Sequence, residues 1–382
     1  MENIEKKETK KKLGQFYTTN SNYILNNIYI PELDSNIKII EPFVGKGDLL
    51  QFIFNNIKNH NKILCYDICN KSIEYNIDKK YDLEYDIQIQ FECINSLIDD
   101  CNLSNNFIIT NPPYLSRNKN TDKTIYNMFN ENDLYKCFIR LLINNKTYGG
   151  ILILPLNFFC SIRQSDIDLR KDFLNLYDIV KLNIFEEKIF EDTSYNICSF
   201  QYIQKSFNLN YIEYIPTNVL CNGKIVKTID FILNENNNYT FGGDIYIYKY
   251  NLNSSTNFKI TRLTKNNKTE RYSNIFVKCI DDNQNSKIRF EYNETPYIDE
   301  TPNLSCRTFA TLIITPYIDN EKQKKLIKLC NEYLEYNRDK YYSLFLTNYR
   351  ETKGNFMRKR ISFDLVYNIV LNVISQSNLI NH

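Results

Sequence analysis

The sequence predicts an α/β protein, a doubly wound and largely parallel sheet followed by a second, β-rich domain. Three observations carry that expectation. Short apolar runs that suit buried strands alternate with segments of helical periodicity through the first half of the chain. Two of these runs end in turns that cannot continue a strand, Glu41-Pro42-Phe43-Val44-Gly45-Lys46-Gly47-Asp48 and Asn111-Pro112-Pro113-Tyr114. Near Ser206 the composition shifts to short Tyr- and Ile-rich runs broken by Asn-rich turns.

Residues 1–12 form a basic arm (Lys6, Lys7, Lys10, Lys11, Lys12) with no apolar region behind it. After Gly14-Gln15-Phe16-Tyr17-Thr18, the spacing of Ile24, Leu25 and Ile28 predicts a helix starting at Ser21. Ile37-Lys38-Ile39-Ile40 reads as the first buried strand, and Leu49, Leu50, Ile53, Phe54 and Ile57 as the apolar face of the helix after its glycine turn. The second strand is Ile63-Leu64-Cys65-Tyr66, ending in Asp67. Residues 87–91 are a third, followed by Cys93-Ile94-Asn95, and the run into Asn111 is the fourth.

A helical stretch from Leu134 to Leu142 leads through Gly149-Gly150 into the fifth strand. Residues 179–185 and 196–203 suit a strand pair joined through Phe190-Glu191-Asp192-Thr193-Ser194. The first domain is therefore expected over 13–205 and the second over 206–382. The second carries a helix over 321–338, with Leu326, Leu329, Cys330, Tyr333 and Leu334 on one face. A last helix, capped by Ser362, buries Leu365, Ile369 and Val373.

Composition bounds the function. Lys and Arg number 47 against 45 Asp and Glu, a net charge of +2, so any nucleic-acid surface must be local. The 11 cysteines occur singly with no C-x-x-C, and the 2 histidines are His60, in a polar loop, and His382, the last residue. This argues against a zinc site, a disulfide framework and histidine catalysis, and predicts no metal and a reducing, cytoplasmic setting. No apolar run reaches membrane length.

The chemistry concentrates in the two turns. Asn111 offers a carboxamide oxygen, Pro112 a backbone carbonyl and Tyr114 a flat ring, at the carboxyl end of a strand where open α/β sheets bind ligands. Two acceptors beside a stacking surface suit a planar amine such as the exocyclic NH2 of a nucleobase. The plainer reading of this motif is a β-turn with a surface tyrosine. Gly45 and Gly47 let the backbone approach a ligand, but Asp48, Leu49 and Leu50 follow, so the third glycine of a dinucleotide fingerprint is missing. Asp67, about twenty residues on, can accept from ribose hydroxyls. The combination suits a ribose-bearing ligand without a pyrophosphate, and S-adenosyl-L-methionine meets that description.

In this order, Gly14-Gln15-Phe16-Tyr17-Thr18, Glu41 to Gly47, Asp67 and Asn111-Pro112-Pro113-Tyr114 resemble the γ-class adenine-N6 DNA methyltransferases of type II restriction–modification systems. The resemblance covers residues 13–205 and extends loosely to Leu346-Thr347-Asn348-Tyr349-Arg350-Glu351 and Arg358-Lys359-Arg360-Ile361-Ser362-Phe363. It implies a Rossmann-like AdoMet-dependent methyltransferase sheet with a C-terminal mixed α+β target-recognition domain. It implies that Gln15, Tyr17 and Thr18 line the methionine end of the cofactor, that the turn with Glu41, Pro42, Gly45 and Gly47 passes beneath it, and that Asp67 holds the ribose. Where the family has an acidic residue against the cofactor's adenine, this chain has Asn95.

The implied reaction methylates N6 of an adenine flipped out of duplex DNA, at Asn111, Pro112, Pro113 and Tyr114. Tyr114 would stack on one face of the base and Phe190 on the other, core packing being the plain reading of Phe190. For the duplex the densest positive cluster is Arg350, Lys353, Arg358, Lys359 and Arg360, with Tyr349 and Phe356 interleaved, although most charge runs are solvated faces. Lys265, Lys268 and Arg271 form a weaker one. Asn-Pro-Pro-Tyr also serves methyltransferases of RNA amines and of protein glutamine amides, and a non-catalytic DNA-binding subunit is a further alternative. The second domain and the Gly-Gln-Phe-Tyr-Thr motif favour DNA. There is no nuclease motif, so a cognate restriction endonuclease is expected to be a separate chain.

Overall fold

The computed structural model describes residues 18, 20–57, 62–79, 81, 87–190, 195–208, 212–246, 257–281, 288–301, 308–350 and 357–377, the side chains of 347–350 and 357–358 excepted. The chain divides into two units, one of residues 1–158 and 163–232 and one of residues 159–162 and 233–382.

The first unit is built on nine strands: β1 (Ile39–Glu41), β2 (Ile63–Asp67), β3 (Ile89–Cys93), β4 (Phe107–Thr110), β5 (Gly149–Pro155), β6 (Tyr177–Phe185), β7 (Ile197–Gln204), β8 (Ile215–Cys221) and β9 (Lys224–Phe231). Their order is β3-β2-β1-β4-β5-β7-β6-β8-β9. The first five are mutually parallel, β7 is antiparallel to both β5 and β6, and β8 runs parallel to β6. This is a Rossmann-like sheet, as expected. Strands β1, β2, β4 and β5 are buried at every residue, which is why they read as unbroken apolar runs rather than alternating ones.

Helices α1 (Ser21–Ile24), α2 (Leu50–Asn56), α3 (Asn70–Asp78), α4 (Thr124–Phe129), α5 (Leu134–Asn145) and α6 (Gln164–Leu176) accompany the sheet. The helix expected from Ser21 is a single turn. Ile24, Leu25 and Ile28 are buried as its periodicity implied, but the helix closes at Ile24 with Leu25 as its C-cap, and Asn27 beyond it turns left-handed at φ 55°. The fully buried Asn183 of β6 donates to the carbonyls of Asn26, at 2.8 Å, and of Ile24, so tertiary partners replace the helical ones.

The boundary expected at residues 205–206 falls inside this unit. Leu182 to Phe185 of β6 pair with Thr217 to Leu220, so β8 extends the same sheet, and β9 returns along it through Asn222-Gly223. Both turn residues have positive φ, 48° and 81°, as a two-residue hairpin requires. The compositional shift at Ser206 marks the passage to the sheet's edge.

The second unit has an antiparallel sheet of β10 (Lys259–Arg262), β14 (Phe309–Thr315), β11 (Ile275–Lys278) and β13 (Arg289–Tyr292), in that order. A smaller sheet orders β12 (Ile280–Asp281), β16 (Met357–Arg360) and β15 (Thr347–Arg350). Helices α7 (Asn320–Lys340) and α8 (Phe363–Gln376) pack on one core with Val277, Leu312, Leu326, Cys330, Leu365 and Val370. Asp319 caps α7 by accepting from the Lys322 N–H at 2.9 Å, and Ser362 caps α8 by accepting from the Leu365 N–H at 3.2 Å. Both helices stand where periodicity put them. No described helix is long and apolar enough to cross a membrane.

Candidate active site

Three strands of the first unit deliver polar residues to one cavity. β1 ends in Glu41, β2 in Asp67, and β4 runs into Asn111. β1 and β4 are neighbours whose onward connections leave to opposite sides, so their carboxyl ends open on a crevice. The cavity holds about 1020 Å³, part of it open to solvent, and its walls include Thr18, Glu41, Phe43, Gly45, Asp67, Ile68, Asn95, Leu97, Asn111, Pro113 and Leu115.

Glu41 is 1% exposed. Its Oε1 accepts from the Thr110 hydroxyl at 2.6 Å and the Phe43 N–H at 3.2 Å, while Oε2 is buried with no hydrogen-bond partner. Burial pushes its pKa up to about 8, the two hydrogen bonds pulling part of the way back and the Asp67 charge adding to the rise. Without a cation beside it this carboxyl keeps its proton at neutral pH. Asp67 is pinned by two backbone donors, the Gly45 N–H at 2.9 Å to Oδ2 and the Cys69 N–H at 2.7 Å to Oδ1. Burial raises its pKa against the pull of both. Each oxygen retains a second lone pair for a ligand hydroxyl.

Asn111 Nδ2 donates to the Thr18 hydroxyl at 3.2 Å, which turns the carboxamide oxygen the other way. That oxygen accepts from the Tyr114 hydroxyl, which also lies 2.6 Å from the Ile153 carbonyl. Among the described residues no group donates to the Pro112 carbonyl. Asn95 lines the cavity, with Oδ1 accepting from the Leu97 N–H at 3.1 Å, so its NH2 is the end left to a ligand. The Pro42 carbonyl accepts from Ser96 Oγ at 2.8 Å, tying the glycine turn to the loop after β3.

Several expected residues sit otherwise. Gly47, read as an approach for ligand, does not line the cavity; a Cβ there would fall on Asn76 Oδ1 and 2.6 Å from the Tyr81 hydroxyl. Tyr114 and Phe190 are 3% and 4% exposed, so neither presents an open face for stacking. The rings of Tyr135 and Tyr195 meet Tyr114 edge-on at 6.2 and 6.1 Å, contributed by segments remote in sequence. Gln15, Tyr17 and Lys353 lie outside the described residues. Arg350 and Arg358 lie in β15 and β16 with side chains outside the description, whereas Lys359 Nζ stands 5.4 Å over the Tyr342 ring and Arg360 ends β16.

Two sets of wall residues escaped the sequence reading. Ile68, directly after Asp67, is 52% exposed, and the signal for it was an apolar side chain in the turn after a strand-ending acid. Leu115, Asn120 and Ile125 come from a stretch that carried no readable motif, and Leu134 opens the expected helix without having been marked as a wall. Buried polar pairs hold that stretch. Lys136 meets Asp166 at 2.5 Å, Arg140 meets Glu131 at 2.9 Å, and Asp133, its pKa pushed up to about 6 by burial, accepts from the Tyr195 hydroxyl at 3.1 Å. Among the described residues no cluster of three or more His, Cys, Asp or Glu could hold a metal ion.

No protein-family model matches the chain, and no curated protein does. Among solved structures it is similar to the type IIG restriction endonuclease BpuSI, at 14% identity and a TM-score of 0.42 over 66% of this chain and 36% of that one. It is also similar to the type I restriction–modification methyltransferase subunit from Streptococcus thermophilus (13%, 0.36, over 64% and 54%). A third is the 23S rRNA methyltransferase ErmE (11%, 0.34, over 52% and 72%). The chain thus spans about a third to a half of the length of the first two.

Proposed function

We propose that the cavity binds S-adenosyl-L-methionine and that the chain transfers the cofactor's methyl group to N6 of an adenine flipped out of duplex DNA. The observation that carries this reading is the unpartnered Glu41 Oε2 in the same cavity as Asp67 and Asn111. A buried carboxylate oxygen without a donor fits an ammonium, and a pinned carboxylate with spare lone pairs fits a ribose diol. Ile68 and Leu97 offer apolar walls for the cofactor's adenine, with the Asn95 NH2 as donor to a ring nitrogen.

The cofactor supplies an electrophilic methyl group on sulfonium. The residues prepare the amine that meets it. An exocyclic N6 lone pair is delocalised into its ring and is a poor nucleophile. With its two hydrogens accepted by Asn111 Oδ1 and the Pro112 carbonyl, the nitrogen is held pyramidal, its lone pair aimed in line. Thr18 keeps the Asn111 amide in the sense this needs. The Tyr114 hydroxyl now on Oδ1 can turn wholly to the Ile153 carbonyl as the amine arrives. Bound there, the cofactor would supply its methyl group to that nitrogen in exchange for the methyl's bond to sulfur, and the extra proton on N6 would pass to solvent.

Phosphate contacts are assigned to the second unit through Arg350, Lys353, Arg358, Lys359 and Arg360. The charge balance supports this. Residues 1–232 carry 26 Lys and Arg against 29 Asp and Glu, and residues 233–382 carry 21 against 16, so the chain's +2 divides into −3 and +5.

The test incubates the purified chain and AdoMet with unmethylated duplex DNA and, separately, with structured RNA, then reads the digested nucleosides by mass spectrometry. N6-methyldeoxyadenosine from the DNA arm alone is expected. Methylation confined to RNA would overturn the substrate, and failure to bind AdoMet would overturn the reading as a whole.

A further inference from the structure

We infer that Asn76, on the helix behind the sheet, is a positioning residue for the cofactor cavity: with Tyr81 it clamps the Gly45–Gly47 turn in the shape that aims Asp67. The inference rests on the cofactor reading above and deepens it. Asn is a poor choice for a buried helix position, because its side chain competes for backbone hydrogen bonds. Asn76 is nonetheless 1% exposed, one turn on from the buried Ile73.

Both ends of its carboxamide are engaged. Nδ2 donates to the Gly45 carbonyl at 2.8 Å and to the Ser72 carbonyl at 2.8 Å, and Oδ1 accepts from the Tyr81 hydroxyl at 2.5 Å. Burial raises the Tyr81 pKa, so the phenol stays a donor. The Phe54 ring packs edge-on against Tyr81 at 5.2 Å and fixes where that hydroxyl points.

Gly45 is thereby gripped from both sides. Its N–H goes to Asp67 Oδ2 at 2.9 Å and its carbonyl to Asn76. Gly45 sits at φ 52°, the left-handed conformation in which those two groups reach opposite partners. Gly47 has no room for a Cβ because Asn76 and Tyr81 occupy that space. The second glycine therefore serves the clamp, and through Gly45 the clamp sets the carboxylate that meets the ribose.

The test measures S-adenosylhomocysteine binding by calorimetry at a temperature where circular dichroism shows each variant folded. Asn76→Ala is expected to weaken binding roughly tenfold, the effect of one buried hydrogen bond. Tyr81→Phe should weaken it in the same direction by about two- to threefold. Asn76→Asp keeps the volume but sets an ionised acceptor against the Gly45 carbonyl, so at pH 8 it should bind more weakly than Asn76→Ala. Hydrogen exchange of the peptide covering residues 44–50 supplies a readout without ligand and should quicken in Asn76→Ala. Unchanged exchange there, or wild-type affinity in folded Asn76→Ala, would overturn the clamp. A wild-type chain that binds no S-adenosylhomocysteine, with exchange still quickened in Asn76→Ala, would overturn the cofactor reading while upholding the grip on the turn.

Discussion

The cavity of the first unit and the surface cations of the second use charge in different ways. In the first, ionisable groups are few at the cavity, buried and individually placed, as Glu41, Asp67 and, behind Tyr114, Asp133 are. In the second, cations lie over aromatic rings: Arg271 over Tyr317 at 3.5 Å, Lys340 over Tyr341 at 4.7 Å and Lys359 over Tyr342 at 5.4 Å. A desolvated charge acts strongly on one atom and is little screened by salt. An exposed one acts weakly, adds to its neighbours and is screened within about 8 Å at physiological ionic strength. The first arrangement suits chemistry and the second suits holding a polyanion.

If that division is right, single changes in the first unit should be large and insensitive to salt. Asn111→Ala should lower kcat by roughly 10²–10³-fold, the scale for losing one preorganised hydrogen-bonding group at a reacting centre, and leave AdoMet affinity within about twofold of wild type. Methyl incorporation and calorimetry check the two halves, and retained turnover would remove Asn111 from the mechanism. Asp67→Ala should act on the other quantity. AdoMet affinity should fall by about 10- to 100-fold, because hydrogen bonds to a charged group are lost and two backbone donors are left without their acceptor.

Glu41 gives the division a pH signature. Its folded pKa, pushed up to about 8 from an ordinary value of 4.5, means the ligand-free protein binds one more proton than the unfolded chain between those values. The stability this supplies is complete below the ordinary value and is lost as pH rises through about 8. Thermal unfolding of Glu41→Gln should lack that decline. For the same reason, binding of a cationic ligand below pH 8 should release a proton in wild type and none in Glu41→Gln, measured as the buffer dependence of the calorimetric heat. Equal heats in two buffers of different ionisation enthalpy at pH 7 would show that Glu41 is already ionised.

What the sequence disclosed follows the same line. Glu41, Asp67 and Asn111 were legible because the first two end, and the third directly follows, a strand buried at every residue, where an abrupt polar side chain has little other reason to stand. Asn76 was not, since an Asn within an amphipathic helix looks like an exposed one until the glycine turn is folded against it. The burial of Tyr114 depends on Tyr135 and Tyr195, and no local pattern announces contacts across such separations. The compositional shift at Ser206 precedes β8, whose place in the sheet rests on contacts no local pattern announces, such as the bond Asn218 donates to the buried Asn183 of β6 at 3.3 Å.

The smallest effects are expected in the second unit, and there salt dependence rather than affinity is the sharper measure. Lys359 and Arg360 occupy the end of β16, which pairs with β15 on one side and β12 on the other, so a rigid strand carries both cations. A cation that neutralises one phosphate changes the slope of log K against log salt by about 0.9, whatever the DNA sequence. Lys359→Ala and Arg360→Ala should therefore each weaken duplex binding by only about two- to fivefold at physiological salt and lower the slope by about one. In the double variant the slope changes should add, because each released counterion is counted separately. Fluorescence anisotropy with a labelled duplex across a salt series measures this directly. A slope unchanged in the double variant would take β16 off the DNA, and an affinity loss as deep and as salt-insensitive as that of Asp67→Ala would erase the contrast between the two units.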